Sequence, residues 1–279
     1  NFPSFRNGVA LGPFLSKKFN LPVFINNDGD LYTYGEALAG TLPATNRKLR
    51  EAGSNKQYRN LIGYTIGTGL GIGIVIDGHL NRGDNSCVET FCLPLKNHPG
   101  IMLEDGASIR AVQRVYGELS GTRNHGFSPK DIYDIAKGIL PGDQSAAIGS
   151  FEELGTILGD AIATSATLID GLVVIGGGIS AAREFFMPAL LREMRGKIKT
   201  MSGDELNRVQ MKVYDLDDDS QFAAFARGDS REIEIYGSSD KIVYDPQKRI
   251  GVMTSQIGTN RAIALGAYAF ALNQIDSRL

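Results

Sequence analysis

Three acidic residues are the first candidates for chemistry in this sequence. Asp28 follows the apolar segment 21–25, which predicts a short buried strand, and open α/β sheets bind ligands at the carboxyl ends of their strands. Glu89 lies in the segment DNSCVETFCL, and Glu104 lies in GIMLEDG. Carboxylates can orient hydroxyl groups and accept protons from them, so this set could serve a general-base reaction.

Each of these acids also has an ordinary structural explanation. Asp28, like its neighbour Asn27, could cap the helix that is predicted from Asp30 to Ala39. Glu89 and Glu104 could be solvated acids in a loop. Taken singly, each residue fits its ordinary explanation better, so the chemical hypothesis requires that the three lie together.

Glycines repeat in the segment Leu61–Leu80, LIGYTIGTGLGIGIVIDGHL, which predicts a β-hairpin with Gly67-Thr68-Gly69 at its turn. Glycines 67, 69, 71 and 73 share one face of an extended chain. Such a face lets a ligand or a helix approach the main chain closely, and the sequence favours neither. The bare N–H groups of the turn could hold phosphate oxygens. The glycine spacing excludes the P-loop and the dinucleotide-binding fingerprint.

A second glycine cluster, Gly176-Gly177-Gly178, follows a predicted buried strand at Leu172–Ile175 and precedes a predicted helix at Ala181–Met194. This segment could form a wall without side chains against which a nucleoside lies, near a helix N-terminus. A strand–helix connection that requires close backbone packing explains the same glycines.

Strand and helix patterns alternate along the chain, which predicts an α/β architecture. Alternating segments between Glu232 and Thr254 (EIEIY, KIVYD, RIGVM) predict a small β-rich insertion at about residues 230–255. The run Asp217–Asp219 is interpreted as solvated charges in a loop.

With 279 residues, 22% charged residues and a net charge of -2, the chain shows no basic surface for nucleic acid. No apolar run reaches the roughly 20 residues of a membrane helix. Cys87 and Cys92 form no disulfide framework, which indicates a cytoplasmic protein.

Six motifs occur in one order along the chain: PVFINNDGD, IGTGLGIGIVIDGHLNRG, SCVETF, GIMLEDGASIRAV, LVVIGGGIS and AIALGAYAFA. In this order they resemble the ROK family of bacterial sugar kinases and sugar-responsive repressors. The resemblance covers most of the chain and is poor at about residues 200–255. It implies the actin-like, ribonuclease H-like ATPase fold. It also implies ATP-dependent phosphorylation of a hexose or N-acyl-hexosamine, with ATP and Mg²⁺ as cofactors.

The resemblance implies a role for each matched residue. Asp28 matches the general base that takes a proton from a sugar hydroxyl, and Asn27, Glu89 and Glu104 match sugar ligands. Gly67, Thr68 and Gly69 match a phosphate-binding turn, and Gly176, Gly177 and Gly178 match the adenosine site. Family members often dimerise, so a homodimer is among the expectations.

The sequence departs from the family pattern at three places. The amino-terminal D-x-G-G-T phosphate loop and its domain are absent, so the chain is interpreted as the carboxy-terminal part of a kinase that would be inactive alone. Cys92 stands where many relatives carry a histidine. KNHPGIMLE replaces a cysteine-rich zinc loop, so no structural zinc is expected and His98 is interpreted as a surface residue. A sugar-binding transcriptional regulator, or a purely structural α/β domain, remains as an alternative.

Overall fold

The computed structural model describes residues 5–124 and 126–277, and in these residues helices alternate with strands. The helices are α1 (Leu11–Phe19), α2 (Asp28–Ala39), α3 (Thr41–Glu51), α4 (Ile109–Leu119), α5 (Pro129–Ala136), α6 (Gln144–Ile169), α7 (Arg183–Met194), α8 (Asp219–Arg227) and α9 (Thr259–Asp276). The strands are β1 (Leu61–Ile66), β2 (Leu70–Ile76), β3 (His79–Leu80), β4 (Pro94–Leu95), β5 (His98–Met102), β6 (Leu172–Gly176), β7 (Lys197–Lys199), β8 (Glu205–Asn207), β9 (Lys212–Asp215), β10 (Arg231–Glu234), β11 (Lys241–Tyr244) and β12 (Arg249–Thr254).

A six-stranded mixed sheet forms the centre of the fold, in the order β3-β2-β1-β6-β12-β9. The hairpin predicted at Gly67–Gly69 is present, because β1 and β2 pair antiparallel from Leu61↔Val75 to Ile66↔Leu70. Strands β1, β6, β12 and β9 run parallel. The turn after β1 and the glycines at the end of β6 therefore lie at the same edge of the sheet, where ligands bind in such folds.

Alternating side chains of the central strands point into two separate cores. In β6, Val173 and Ile175 pack with helices α4 to α7 on one side of the sheet, whereas Leu172 and Val174 pack with α2 and α9 on the other. All four residues are fully buried. The period of two in these strands thus produces a sheet that is covered on both faces.

Helix α2 contacts the hairpin through glycines rather than through large side chains. A Cβ atom on Gly73 would lie 2.5 Å from the carbonyl oxygen of Gly29 and 2.5 Å from Oγ1 of Thr33, and one on Gly63 would lie 2.1 Å from the same Oγ1. Thr33 donates its hydroxyl proton to the Gly29 carbonyl at 2.9 Å, so the polar group is satisfied within the contact. The glycine face of the hairpin therefore admits a helix at these positions.

The opposite side of α2 packs equally closely on α9. A Cβ atom on Gly35 would lie 1.9 Å from the carbonyl oxygen of Ala262, and one on Gly266 would lie 1.8 Å from that of Leu31. Helix α2 is thus held between the sheet and α9 by backbone contacts on both sides, which fixes the position of its N-terminus.

The segment 21–25 is not the buried strand that its apolar pattern predicts. Leu21 and Ile25 are exposed, and the segment has no strand assignment. A short apolar run becomes a strand only where a neighbouring strand satisfies its backbone N–H and C=O groups, and the sequence does not reveal whether such a neighbour exists. The prediction was therefore wrong, although Asp28 still follows this segment at the start of a helix.

The β-rich segment that lies outside the main sheet is shorter than the predicted range 230–255. Strands β10 and β11 form a separate two-stranded hairpin over residues 231–244, whereas β12 pairs with β6 and β9 inside the main sheet. Grouping β12 with the insertion was wrong, because its residues 249–253 are buried on both faces, as in a central parallel strand.

In the described part of the chain, no helix combines the length and the apolar composition that crossing a membrane requires.

We expect Gly73→Ala to lower the free energy of unfolding by about 2–3 kcal/mol, because its methyl group would overlap the backbone of α2. Gly100→Ala is the matched control, since a Cβ atom there meets open space. Urea denaturation of the two variants and the unsubstituted protein measures this difference. Equal destabilisation by the two substitutions would contradict the backbone contact described here.

Candidate active site

The N-terminus of α2 presents Asp28 to solvent and leaves the capping role to Asn27. The Asn27 side-chain oxygen accepts a hydrogen bond from the Gly29 N–H at 2.8 Å, as an N-cap residue does. Asp28 is exposed in the first turn, and its Oδ1 accepts from the same N–H at 3.0 Å. The positive end of the helix dipole stabilises a carboxylate at this position.

Glu89 reaches the same helix terminus from a distant part of the chain. Its Oε1 accepts a hydrogen bond from Nδ2 of Asn27 at 3.1 Å. Its Oε2 is buried and has no hydrogen-bond partner among the described residues. A buried carboxylate oxygen without a partner is costly, so this atom is suited to a hydroxyl group of a ligand.

Glu104 is fixed beside the glycine turn. Its Oε2 accepts from the backbone N–H of Leu70 at 3.1 Å, and its Oε1 contacts the Arg110 guanidinium at 3.1 Å. A Cβ atom on Gly69 would lie 2.6 Å from Oε2, so the glycine makes room for this carboxylate. Gly69 thus has a packing role next to the site.

The three predicted acids are close enough to influence one another electrostatically. Burial, together with the negative charges of Asp30, Asp28 and Glu104, raises the pKa of Glu89 to about 7. The structure therefore brings Asp28, Glu89 and Glu104 to one place. Asn27, which directly precedes Asp28, connects it to Glu89 through its side-chain amide.

Asp30 belongs to this cluster and was missed by the sequence reasoning, which treated it only as the start of a helix. It is 6% exposed, and burial raises its pKa to about 6, while the positive charge of Arg82 opposes the shift. The sequence carried one signal for this position: Asp30 lies only two residues after Asp28, so both side chains belong to the first turn of the same helix.

The turn at Gly67–Gly69 lies against the N-terminus of α4. The backbone N–H of Ile109 donates to the Gly67 carbonyl at 2.9 Å, and Thr68 is exposed at the tip of the turn. Ser108 precedes α4, and its buried Oγ has no hydrogen-bond partner in the described residues. An exposed glycine turn next to a helix N-terminus and an unpartnered hydroxyl is a suitable place for phosphate oxygens.

The three glycines after β6 differ in their surroundings. A Cβ atom on Gly176 would lie 2.6 Å from the Tyr32 ring, and one on Gly177 would lie 2.2 Å from the Ile66 carbonyl oxygen, whereas one on Gly178 would meet open space. Gly177 also has a φ of 92° and donates its N–H to Oγ1 of Thr259 at 2.7 Å. Packing thus explains Gly176 and Gly177, and only Gly178 leaves room for a ligand.

Gly178 borders a mostly apolar cavity of about 340 Å³ that Ile109, Tyr133, Phe151 and Ile179 also line. This volume is within the range of small-molecule sites. The cavity joins the neighbourhood of the glycine turn through Ile109, which contacts Gly67. A flat apolar ring such as a nucleobase suits this lining, and a phosphate chain could extend toward the turn.

Over residues 5–124 and 126–277, no group of three His, Cys, Asp or Glu side chains could hold a metal ion. Cys92 and His98 are both exposed, and His98 begins β5. The segment that stands in place of a zinc loop forms the short ribbon β4–β5, with Pro94↔Met102 and Leu95↔His98 as paired residues.

The raised pKa of Glu89 predicts a pH dependence of stability. The folded-state pKa of Glu89, about 7, exceeds its ordinary value of 4.5. The contribution of Glu89 to the free energy of unfolding is therefore complete below pH 4.5 and is lost as the pH rises through 7. As the pH rises from 4.5 to 7, the unfolding free energy of the unsubstituted protein should therefore fall relative to that of Glu89→Gln. Urea denaturation across this range measures it, and a constant difference would contradict the raised pKa.

Comparison with known proteins connects this arrangement to a family. The model of the ROK family matches residues 5–220. A glucokinase from Parabacteroides distasonis of known structure is 55% identical, with a TM-score of 0.89, and the alignment covers 98% of this chain and 75% of that one. A ROK family glucokinase from Streptomyces griseus, solved with glucose and AMPPNP, is 20% identical, with a TM-score of 0.58 over 94% of this chain and 72% of that one. Its similarity supports the actin-like ATPase fold alone.

Curated sequences add a second kind of relative. The xylose repressor of Bacillus spizizenii is 37% identical over 75 residues, which are 27% of this chain and 16% of the repressor. The chain spans 16–61% of the lengths of the curated relatives it matches, which include bacterial glucokinases. Because the family model covers most of the chain and a 55% identical structure aligns over nearly all of it, the chain belongs to the ROK family.

Proposed function

We propose that this chain carries the sugar site and part of the nucleotide site of an ATP-dependent kinase for a hexose or N-acyl-hexosamine. The observation that supports this most is the meeting of Asp28, Glu89 and Glu104 beside an exposed glycine turn. A phosphoryl-transfer enzyme needs these two parts together, namely acceptors that orient a hydroxyl group and a place for phosphates next to it. The 55% identity to a glucokinase gives independent support.

Sugar binding is assigned to Asn27, Glu89 and Glu104. Asn27 and Glu89 are joined by a hydrogen bond, so their relative positions are set before a ligand arrives. The unpartnered Oε2 of Glu89 would accept a hydrogen bond from a sugar hydroxyl. Preorganised acceptors lower the entropy cost of binding and select a pattern of hydroxyl groups.

Asp28 is proposed as the general base. It is the exposed acid in the first turn of α2, where a bound ligand can reach its carboxylate oxygens. In the reaction, one carboxylate oxygen would accept the proton of the attacking sugar hydroxyl as the bond from the hydroxyl oxygen to the γ-phosphorus forms and the bond from that phosphorus to the departing ADP oxygen breaks. Such assistance typically contributes about 10²–10⁴ in rate.

The nucleotide is assigned to the cavity beside Gly178 and to the turn at Gly67, Thr68 and Gly69. When bound, ATP would supply the phosphoryl group, and Mg²⁺ would offset the negative charge of its phosphates. The apolar lining of the cavity would hold the base, while the main chain of the turn and the Ser108 hydroxyl would contact phosphate oxygens. Gly176 and Gly177 would support this site through packing. The cytoplasm, where ATP is available, is the proposed location.

A sugar-responsive regulator is the alternative, and the similarity to the xylose repressor favours it. A regulator would bind the same sugar through the same acceptors, and binding would shift a conformational equilibrium without chemistry. An intact protein that binds a hexose but does not release ADP from ATP would identify it as a regulator.

Asp28→Asn should lower the rate of sugar phosphorylation by about 10²–10⁴, because the variant lacks the proton acceptor. Its affinity for the sugar should stay within about twofold, since the amide keeps the shape of the carboxylate it replaces. The assay uses the intact protein with a panel of hexoses and N-acyl-hexosamines, and calorimetry measures binding. Asp84→Asn, in an exposed loop, is the control. Normal turnover in Asp28→Asn would rule out Asp28 as base.

Gly178→Ala should weaken the binding of AMPPNP while leaving the unfolding free energy unchanged. Its methyl group would enter the space beside the nucleotide cavity without touching protein atoms. Gly100→Ala again serves as the matched control, because its methyl group also meets open space but lies in β5. Equal nucleotide affinity in all three proteins would place the nucleotide elsewhere.

A further inference from the structure

A second cavity, of about 630 Å³, lies at the opposite end of the sheet from the candidate active site. It is bordered by Lys212, the first residue of β9, and by Lys248, which directly precedes β12. The strands run parallel, and their other ends point toward the active-site edge. At about 3.3 Å per residue, the four to six residues of these strands separate the two ends by roughly 13–20 Å.

Three positively charged side chains surround this cavity, namely Arg195, Lys212 and Lys248. The two lysines lie at the starts of neighbouring strands, where the Lys212 N–H donates to the Lys248 carbonyl at 2.9 Å. Arg195 is held by its Nε, which donates to the Val213 carbonyl at 3.1 Å, and by an N–H group that donates to Gln221 at 2.6 Å. The arginine therefore projects its charge from a fixed position.

No Asp or Glu among the described residues lines the cavity. Three acids directly adjoin lining residues along the chain, and each has a basic partner elsewhere: Glu193 pairs with Lys96, Asp215 with Arg183 and Asp245 with Arg249. Three positive charges border the cavity and no acid lines it, so a bound anion would reduce the repulsion among them.

The floor of the cavity is apolar. Met194, Val209, Val213 and Tyr214 form this floor and are nearly fully buried. Met194, Val209 and Val213 belong to the core on the α4–α7 side of the sheet and Tyr214 to the core on the other side, so the floor extends around β9. The Tyr214 ring lies 5.2 Å from the Lys212 ammonium group. A site with an apolar floor and a charged rim recognises molecules that have both an apolar body and a charged group.

We propose that this cavity is a binding site for a small organic phosphate, separate from the sugar and nucleotide sites. Lys212, Lys248 and Arg195 hold the phosphate group, and the apolar floor contacts the organic part of the ligand. The site does not depend on the proposed kinase function, because its residues belong to a different end of the sheet.

Methyl groups of methionine provide a direct test with phenyl phosphate as the probe. The chain has six methionines, of which Met194 and Met211 line the cavity, whereas Met102 directly precedes the segment that carries Glu104. In ¹³C-methyl-methionine NMR of the intact protein, phenyl phosphate should shift the Met194 and Met211 resonances in a saturable manner. Phenol alone, which lacks the phosphate group, should not produce these shifts.

The double variant Lys212→Gln/Lys248→Gln should bind phenyl phosphate at least about tenfold more weakly. Arg192→Gln/Lys199→Gln is the matched control, because it removes the same charge from exposed positions that do not line the cavity. The proposal is overturned if the probe shifts neither Met194 nor Met211, or if phenol reproduces the shifts. It is also overturned if the Lys212/Lys248 variant binds as tightly as the control.

Discussion

The close contact between helix α2 and the β1–β2 hairpin determines where the candidate active site lies. Gly63 and Gly73 leave no side chain between the strands and the helix, so the first turn of α2 rests directly on the sheet near Gly29. On its other side, Gly35 allows an equally close approach to α9. Backbone contacts on two sides fix the helix more firmly than flexible side chains could, because interiors of this density do not deform continuously.

This position has an electrostatic consequence. It brings Asp28 and Asp30 near Glu89 and Glu104, and four acidic side chains in one small volume repel one another. The helix dipole, Arg82 and Arg110 offset part of this repulsion, and the pKa of Glu89 is raised first by its burial and then by the repulsion that remains. A sugar, which brings several hydroxyl donors, is the kind of ligand that such a surplus of acceptors would bind.

The sequence predicted the α/β class and the hairpin with its turn, because strands, glycine turns and helix starts leave local signals. The meeting of the three acids was expected only from the order of motifs that resembles the ROK family. It did not separate glycines that admit a ligand from those that admit a helix, since both functions need the same absence of a side chain. Gly73 and Gly178 look alike in the sequence, and only the packing around them differs. The segment 21–25 and strand β12 were assigned incorrectly because the partners of a strand are decided by distant parts of the chain. Asp30 was missed because its burial depends on the same tertiary contacts.

The most direct test of the account is a crystal structure of the intact protein with a bound hexose and a non-hydrolysable ATP analogue. We expect one sugar hydroxyl within hydrogen-bond distance of the Asp28 carboxylate and directed toward the terminal phosphate, with Asn27, Glu89 and Glu104 on the other hydroxyl groups. A sugar bound away from these residues, or an Asp28 carboxylate turned toward bulk solvent in the complex, would contradict it.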